Sequence, residues 1–315
     1  MEQTATIIIN WNGWKDTIEC LSSFKQPPDN LHFFIVDNAS SNNSVGQLEI
    51  FLKTSPFAYK LYSISEFEQN FDKTKNVSLI QNDKNVGFAG GTNMILKFLL
   101  NHGFYSYAWL LNNDTIVTGE TLTHLQNGLS QNNKNAFCGS VILDYYKPEL
   151  VQCCGVNHYK YLGISKLFLK NQIWDSIKSS NRLKNAHQDY QNGASLLVDL
   201  DKVTDIGLMD EIFFLYSEEA DWQFRAKRKG LSNVLSLKSI IYHKGSMSTS
   251  GKKDIFFYNY NRSAILLTRK NFGGIASLTS TLSLIVITMV RSKFSYKSFV
   301  AGIKGIYAGW KINIK

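Results

Sequence analysis

Glu218, Glu219 and Asp221 fall within four positions, directly after the aromatic run Phe213, Phe214, Leu215, Tyr216. Like charges repel and burial disfavours ionisation, so a carboxylate cluster beside apolar rings is costly to assemble. Its usual work is proton transfer or cation binding. On a helix starting here, residues 218 and 221 share a face while 219 points elsewhere. The three acids can therefore divide the catalytic roles between a general base and groups that orient a basic or hydroxyl partner. The plainer reading, acids complementing a helix macrodipole, does not account for three in four positions. Arg225 follows Asp221 by one helical turn. His243 closes an apolar run, with Lys244 beside it. A neutral imidazole there suits a cation, and the ammonium suits a diphosphate; a lone histidine is otherwise a surface or capping residue.

Three more polar groups have an apolar strand-like run just before them. Residues 6–10 (TIIIN) lead into Trp11-Asn12-Gly13, a turn signal. Residues 32–36 end at Asp37, an acid that can accept from a nucleobase or ribose or simply make an Asx-turn. Residues 77–81 precede the stretch from Asn85 to Asn93, where Gly87, Gly90 and Gly91 let backbone approach a ligand or a helix start. Neither GxGxxG nor GxxxxGK[ST] is matched. Residues 107–111 break at Asn112-Asn113-Asp114, oxygen donors that suit Mg²⁺ or Mn²⁺ or a polar turn.

Strand, polar tip and helix, repeated, predict an α/β fold with a mostly parallel sheet flanked by helices. Ligands of such sheets bind outside the carboxyl ends of the strands, where each polar cluster falls. Residues 42–76 read as polar and irregular, with a helix near 45–52. Residues 145–190 read as loop-rich. Residues 191–198 and 234–242 are expected to be strands, and 201–208, 217–229 and 256–270 helices.

The chain has 315 residues, 44% hydrophobic and 13% aromatic, enough for a real core. Its net charge of +9 is not spread evenly. Residues 1–250 hold 23 Lys+Arg against 24 Asp+Glu, while residues 251–315 hold 11 basic residues against Asp254 alone. A basic excess interleaved with apolar stretches points to an anionic membrane surface and away from nucleic acid. Residues 275–290 span about 24 Å as a helix, short of the roughly 30 Å hydrocarbon core. With Ile275, Leu278, Leu282, Ile285 and Met289 on one face, they predict a helix lying in the interface rather than a span, with a short re-entrant segment as the alternative. The division expected is a catalytic unit over 1–250 and a helical, basic, membrane-associating tail over 251–315. Residues 1–6 show no signal peptide. Cys20, Cys138, Cys153 and Cys154 lack zinc spacing and read as thiols of a reducing cytosol.

In order, IIINWNG (7–13), IVDNASS (35–41), NVGFAGGTN (85–93), LLNND (110–114), GASLLV (193–198), DEIFFLYSEEADWQFRAKRKG (210–230), IIYHKGSMS (240–248) and YNYNRSAILLTRK (258–270) resemble family 2 glycosyltransferases of the bacterial rhamnosyltransferase-like branch. The resemblance covers nearly the whole chain. It implies a nucleotide-binding domain of the glycosyltransferase A type. It also implies an inverting transfer from a dTDP- or UDP-linked sugar, rhamnose favoured, to a glycan or lipid-linked acceptor at the cytoplasmic membrane face. Asp37, with Asn10, Trp11 and Asn12, would hold the base; Asn85, Gly87, Gly91, Asn93, Asn112, Asn113, Arg225 and Lys244 would complete the donor site. Asp114 and His243 would bind Mg²⁺ or Mn²⁺. Glu219 stands where the family usually has the Asp of a Glu-Asp pair acting as base, with Glu218 and Asp221 as substitutes. Two departures follow: Asn112 replaces the first Asp of the DxD-like motif, and Glu219 is one methylene longer than Asp. A sugar nucleotidyltransferase and a non-catalytic sugar-nucleotide-binding protein are the competing classes.

Overall fold

The structure, a computed structural model, describes residues 2–26, 28–180, 183, 187–245 and 253–314. The end of the IIYHKGSMS motif, residues 246–248, lies outside them. The first third alternates strand and helix: β1 (Thr4–Asn10), helix Trp14–Ser22, β2 (Leu31–Asp37), helix Ser44–Thr54, β3 (Tyr59–Ser63), helix Ile64–Asn70, β4 (Val77–Gln81), helix Gly87–His102 and β5 (Tyr107–Leu111). These strands lie in the order β3-β4-β2-β1-β5, all parallel. β2 is buried along its whole length, as a strand covered on both faces must be. Its side chains alternate between two cores, as the strand period requires. Phe33 and Ile35 join Ile8 and Trp109 on one face, and Phe34 and Val36 join Ile7 and Leu110 on the other.

The remaining strands turn the sheet into a mixed one. They are β6 (Thr115–Val117), β7 (Asn135–Asp144), β8 (Val151–Cys153), the hairpin β9 (Val156–Tyr159) and β10 (Ile164–Leu167), β11 (Ser195–Asp199) and β12 (Ser232–His243). The sheet continues from β5 through β11, β7 and β12 to β6, with β8 on β7. β11 runs antiparallel to both β5 and β7, which places the 193–195 turn beside the carboxyl end of β5. One expectation needs correction, and one strand went unread. Residues 42–76 are not irregular: they hold an edge strand, β3, and the helix Ile64–Asn70, where Tyr62 and Phe67 bury into the second core. Residues 135–144 form the ten-residue strand β7, although an unbroken buried run shows no alternation from which a strand could be read.

The tail begins as one helix, Lys253–Arg291, broken where Gly273 takes φ 81° and ψ −176°. Its first half packs into the body: Leu266 and Leu267 share a core with Phe213 and Ala220. The last helix, Tyr296–Lys311, lies so close that a Cβ on Gly305 would stand 2.2 Å from the Tyr258 carbonyl oxygen. The second half, after Gly273, buries Ala276, Ser280, Leu284 and Thr288. On its opposite side Ile275 is 77% exposed, Leu278 63% and Leu282 68%. By length and composition this is a helix that could cross a membrane. The four cysteines are buried free thiols.

Candidate active site

A cavity of about 560 Å³ opens at the carboxyl ends of β1, β2 and β5 and the end of β12. Trp11 and Asn12 line it after β1, Asn85 and Gly87 after β4, and Asn112, Asn113 and Asp114 after β5. His243, Phe214, Leu215, Tyr216, Ile255 and Asn259 complete its walls, the last two from the long helix. Its size suits a small-molecule ligand.

Hydrogen bonds fix the floor. Asn10 Nδ2 donates to Asp37 Oδ1 at 2.6 Å, and Ser40 reaches both Asp37 oxygens through its backbone N–H (3.0 Å) and hydroxyl (2.6 Å). Asp37 is buried, with its carboxylate spent on shaping the 38–41 loop. That loop presents Asn38, whose amide donates to Asn85 Oδ1 and the Gly87 carbonyl, both at 3.0 Å. Gly87 takes φ +75°, and a Cβ there would lie 2.4 Å from the Phe214 carbonyl oxygen, so only glycine fits.

At the β5 tip, Asp114 Oδ1 lies 3.1 Å from His243 Nε2, and Asn112 Nδ2 is 3.4 Å from the same nitrogen. Gln152, on β8, orients the ring. Its Nε2 donates to the His243 carbonyl at 3.1 Å, which fixes the amide orientation, so Oε1 must accept from His243 Nδ1 at 2.6 Å. With Nδ1 committed to Gln152, Nε2 is the nitrogen that faces Asp114; it bonds that carboxylate in the free protein and would ligate a cation in place of that proton, an arrangement common to metal-binding histidines. Burial by itself would raise the Asp114 pKa. The hydrogen bond and charge of His243 and the charge of Lys244 outweigh it and hold the carboxyl below its usual range. Among the described residues no group of three or more His, Cys, Asp or Glu could cage a metal alone. One carboxylate and one imidazole do fit a hard cation whose remaining ligands come from substrate phosphates.

The acids sit on the helix Glu218–Arg228, which is preceded by two residues in the left-handed region, Tyr216 (φ 71°) and Ser217 (φ 70°). Side chains larger than glycine hold that conformation only under constraint, and such strain clusters at functional sites. Glu218 is buried with Oε2 lacking any hydrogen-bond partner. Burial first, and then the neighbouring Glu219, push its pKa well above the carboxylate range. Burial also raises Glu219, partly opposed by the N–H groups of Glu219 and Ala220. Glu219 packs against Gly193: a Cβ there would be 3.5 Å from its Cγ. The next residue, Ala194, accepts from the Asn112 N–H at 3.0 Å. The base candidate and the cation candidate thus stand at one end of the adjoining strands β11 and β5.

Five sequence assignments take different tasks. Asp221 is fully buried and bonds Arg225 Nε (2.9 Å), Lys270 Nζ (2.9 Å) and Asn271 Nδ2 (3.0 Å), so it ties the long helix to the acidic helix. Arg225 spends its other nitrogens on the Ile206 and Leu208 carbonyls, at 2.7 and 2.6 Å. Asn93 clamps the 209–211 segment through Met209 and Glu211. Gly91 lets the Gly87–His102 helix approach β1, since a Cβ would lie 3.0 Å from Ile9 Cδ1. Lys244 Nζ is taken by Asp16 (2.7 Å) and Glu19 (2.5 Å); burial would lower its pKa, but those two carboxylates raise it. Only the Asp221–Arg225 pair, one helical turn apart, could be read from spacing; the other partners are remote in sequence or supplied by backbone, so residue type alone gave no sign of them.

Residues 6–152 match the family model described as Glycosyl transferase family 2. Over that stretch, a little under half of the chain, the protein is similar to family 2 glycosyltransferases. No curated protein matches it. Among solved structures, the mannosyltransferase PcManGT of Pyrobaculum calidifontis, in complex with GDP-Man and Mn²⁺, superposes with a TM-score of 0.58 at 10% identity, over 98% of this chain and 86% of that one. GalNAc-T7 with UDP, GalNAc and Mn²⁺ gives 0.58 at 12% identity over 89% of this chain and 54% of that one. S. aureus TarS 1–349 gives 0.52 at 14% identity over 93% and 72%. The fold is the glycosyltransferase A type, a mixed, mostly parallel sheet flanked by helices with a long apolar C-terminal helix.

Proposed function

We propose that the chain is an inverting, divalent-cation-dependent glycosyltransferase that moves a sugar, rhamnose favoured, from a dTDP- or UDP-linked donor to a glycan or lipid-linked acceptor in cell-surface polysaccharide synthesis. The observation that carries this reading is the opposed tuning of two carboxyl sites at one sheet end. Asp114 is held ionised beside His243, while Glu219 is raised toward the pKa a general base needs. The relatives bound to GDP-Man or UDP with Mn²⁺ support the donor class and the cation.

Trp11, Asn12 and Asn85 would face the base, and Asn112 and Asn113 the sugar-phosphate. Asp114 and His243 would hold Mg²⁺ or Mn²⁺, which supplies charge stabilisation to the departing nucleoside diphosphate. Glu219 takes the proton from the acceptor hydroxyl as that oxygen attacks the anomeric carbon from the face opposite the diphosphate. A single displacement inverts the configuration. The gain from a positioned base is about 100- to 10,000-fold. Glu219→Gln is expected to lose that factor in kcat while dTDP or UDP affinity stays unchanged; near-normal turnover would remove Glu219 from the base role.

The reading extends to an anionic bilayer at the cytoplasmic face. The apolar residues left exposed on the second half of the long helix adjoin exposed Arg291, Lys293 and Lys297. Apolar burial with flanking cations is how interfacial helices bind. Leu278→Glu together with Leu282→Glu, at positions that contribute nothing to the core, is expected to release the protein from vesicles containing phosphatidylglycerol; undiminished co-sedimentation would exclude this role.

A further inference from the structure

Arg262 stands out among the arginines of the lower half of the molecule. Arg225 makes three hydrogen bonds, Arg269 donates to the Gly309 and Ile312 carbonyls and stacks on Trp310, and Arg228 donates to Asn271. Arg262 is half-buried, makes no ion pair with any described carboxylate, and has Nη1 buried without a hydrogen-bond partner. Burial lowers its pKa, with only Tyr258 opposing. A guanidinium nitrogen buried without a partner is expensive, so its presence asks for a partner that the described residues do not supply.

Its position says which partner. Ile255, Asn259 and Arg262 recur at i, i+4 and i+7 and so share one helix face. The first two line the cavity. Ser263, the next residue, donates to the Leu215 carbonyl at 2.8 Å, and Leu215 is a cavity wall three residues before Glu218. Two turns further along, Lys270 and Asn271 grip Asp221 of the acidic helix. Arg262 therefore sits on the helix between the donor cavity and the acids. A guanidinium is the side chain best matched to phosphate, through paired N–H donors in a fixed plane.

We propose that Arg262 is a phosphate-binding residue of the active site, donating to phosphoryl oxygens of the bound substrate. The inference rests on the glycosyltransferase reading. The phosphate belongs either to the donor diphosphate or to the link between a lipid and its acceptor sugar.

The full chain and its Arg262→Gln and Arg262→Lys variants separate these. Calorimetric titration with UDP and dTDP in MnCl₂ reads the donor arm, and retention on detergent micelles carrying a polyprenyl phosphate reads the acceptor arm. A loss of roughly tenfold or more in either arm is expected for the Gln variant, the size of losing a charge-assisted hydrogen bond, with Lys recovering part of it. Loss in the first arm assigns the donor diphosphate; loss in the second alone assigns the acceptor phosphate. Because Arg262 makes no side-chain hydrogen bond or ion pair among the described residues, the Gln variant is expected to melt at the same temperature as the parent or above it. A clear drop in Tm would make the residue structural and overturn the proposal, as would unchanged binding in both arms. If the parent protein binds neither nucleotide in Mn²⁺, the glycosyltransferase reading falls and takes this proposal with it.

Discussion

Two buried carboxyl sites at the same end of the sheet have been given opposite surroundings. Asp114 has His243 at 3.1 Å and the charge of Lys244 nearby, and these hold its pKa down against the effect of burial. Glu218 and Glu219 have only each other and backbone amides, so burial dominates and drives both upward. Asp221, two positions later, sits deeper than either Glu, and there Arg225 and Lys270 answer its charge. Depth alone does not decide what a carboxylate does. The countercharge that the fold delivers to it decides, and a carboxyl left without one is the group free to exchange a proton.

The largest effect expected from testing this contrast is on stability. Asp221→Ala removes the shared partner of Arg225, Lys270 and Asn271, leaving Lys270 to Asp210 and Arg225 to the Ile206 and Leu208 carbonyls without a carboxylate. Breaking a buried ionic network from one side destabilises by about 3–5 kcal/mol. Urea unfolding of the parent and the variant is expected to show that loss, together with loosening of the long helix. A change under about 1 kcal/mol, the level of an exposed pair, would mean that Asp221 is not the tie described and would reopen a direct role in catalysis.

The middle effect falls at the other pole. Gln152→Leu leaves Asp114 and His243 in place but removes the acceptor that commits the Nδ1 proton. Loss of such an outer partner weakens metal binding about 10- to 100-fold. The Mn²⁺ concentration giving half-maximal donor turnover is expected to rise by that factor with little change at saturating Mn²⁺. An unchanged Mn²⁺ dependence would separate His243 from the cation.

What the sequence could and could not announce follows the same division. The strand ends were legible because burial on two faces writes apolar runs, and each run stops at a polar tip: TIIIN before Trp11, LHFFIVD at Asp37, YAWLL before Asn112. The meeting of residues 112–114 with His243 requires the pairing of β12 with β6, a contact between segments more than a hundred positions apart. Periodicity carries no such information, and family resemblance alone suggested it. Gln152 was missed entirely, since a glutamine in a three-residue strand has no motif around it. The resemblance assigns Asn93, Arg225 and Lys244 to the donor, and the Lys244 ammonium suits a diphosphate. Each had already found an intramolecular partner: Met209, the carbonyls of Ile206 and Leu208, and Asp16 with Glu19. Residue type shows what a side chain can bind; the fold decides whether that capacity is still open.

The smallest effect tests whether Glu218 is uncharged in the folded protein. Its folded pKa is raised above the ordinary value of 4.5. Well below that pH the carboxyl is protonated in both states and contributes nothing to the pH dependence. As pH rises past it, the unfolded chain releases the proton while the native chain keeps it, so the native state binds more protons and stability falls. Glu218→Gln keeps the shape of a protonated carboxyl and removes this titration. The variant is expected to match the parent in Tm well below pH 4.5 and to exceed it increasingly toward pH 7.5, by a few degrees, the shift that ~1 kcal/mol makes in a chain of this size. A Tm gain that is flat with pH would trace to packing alone. A Tm that falls below the parent's at pH 7.5 would show Glu218 ionised and paired, and the contrast between the two poles of the site would then collapse to a single kind of carboxylate.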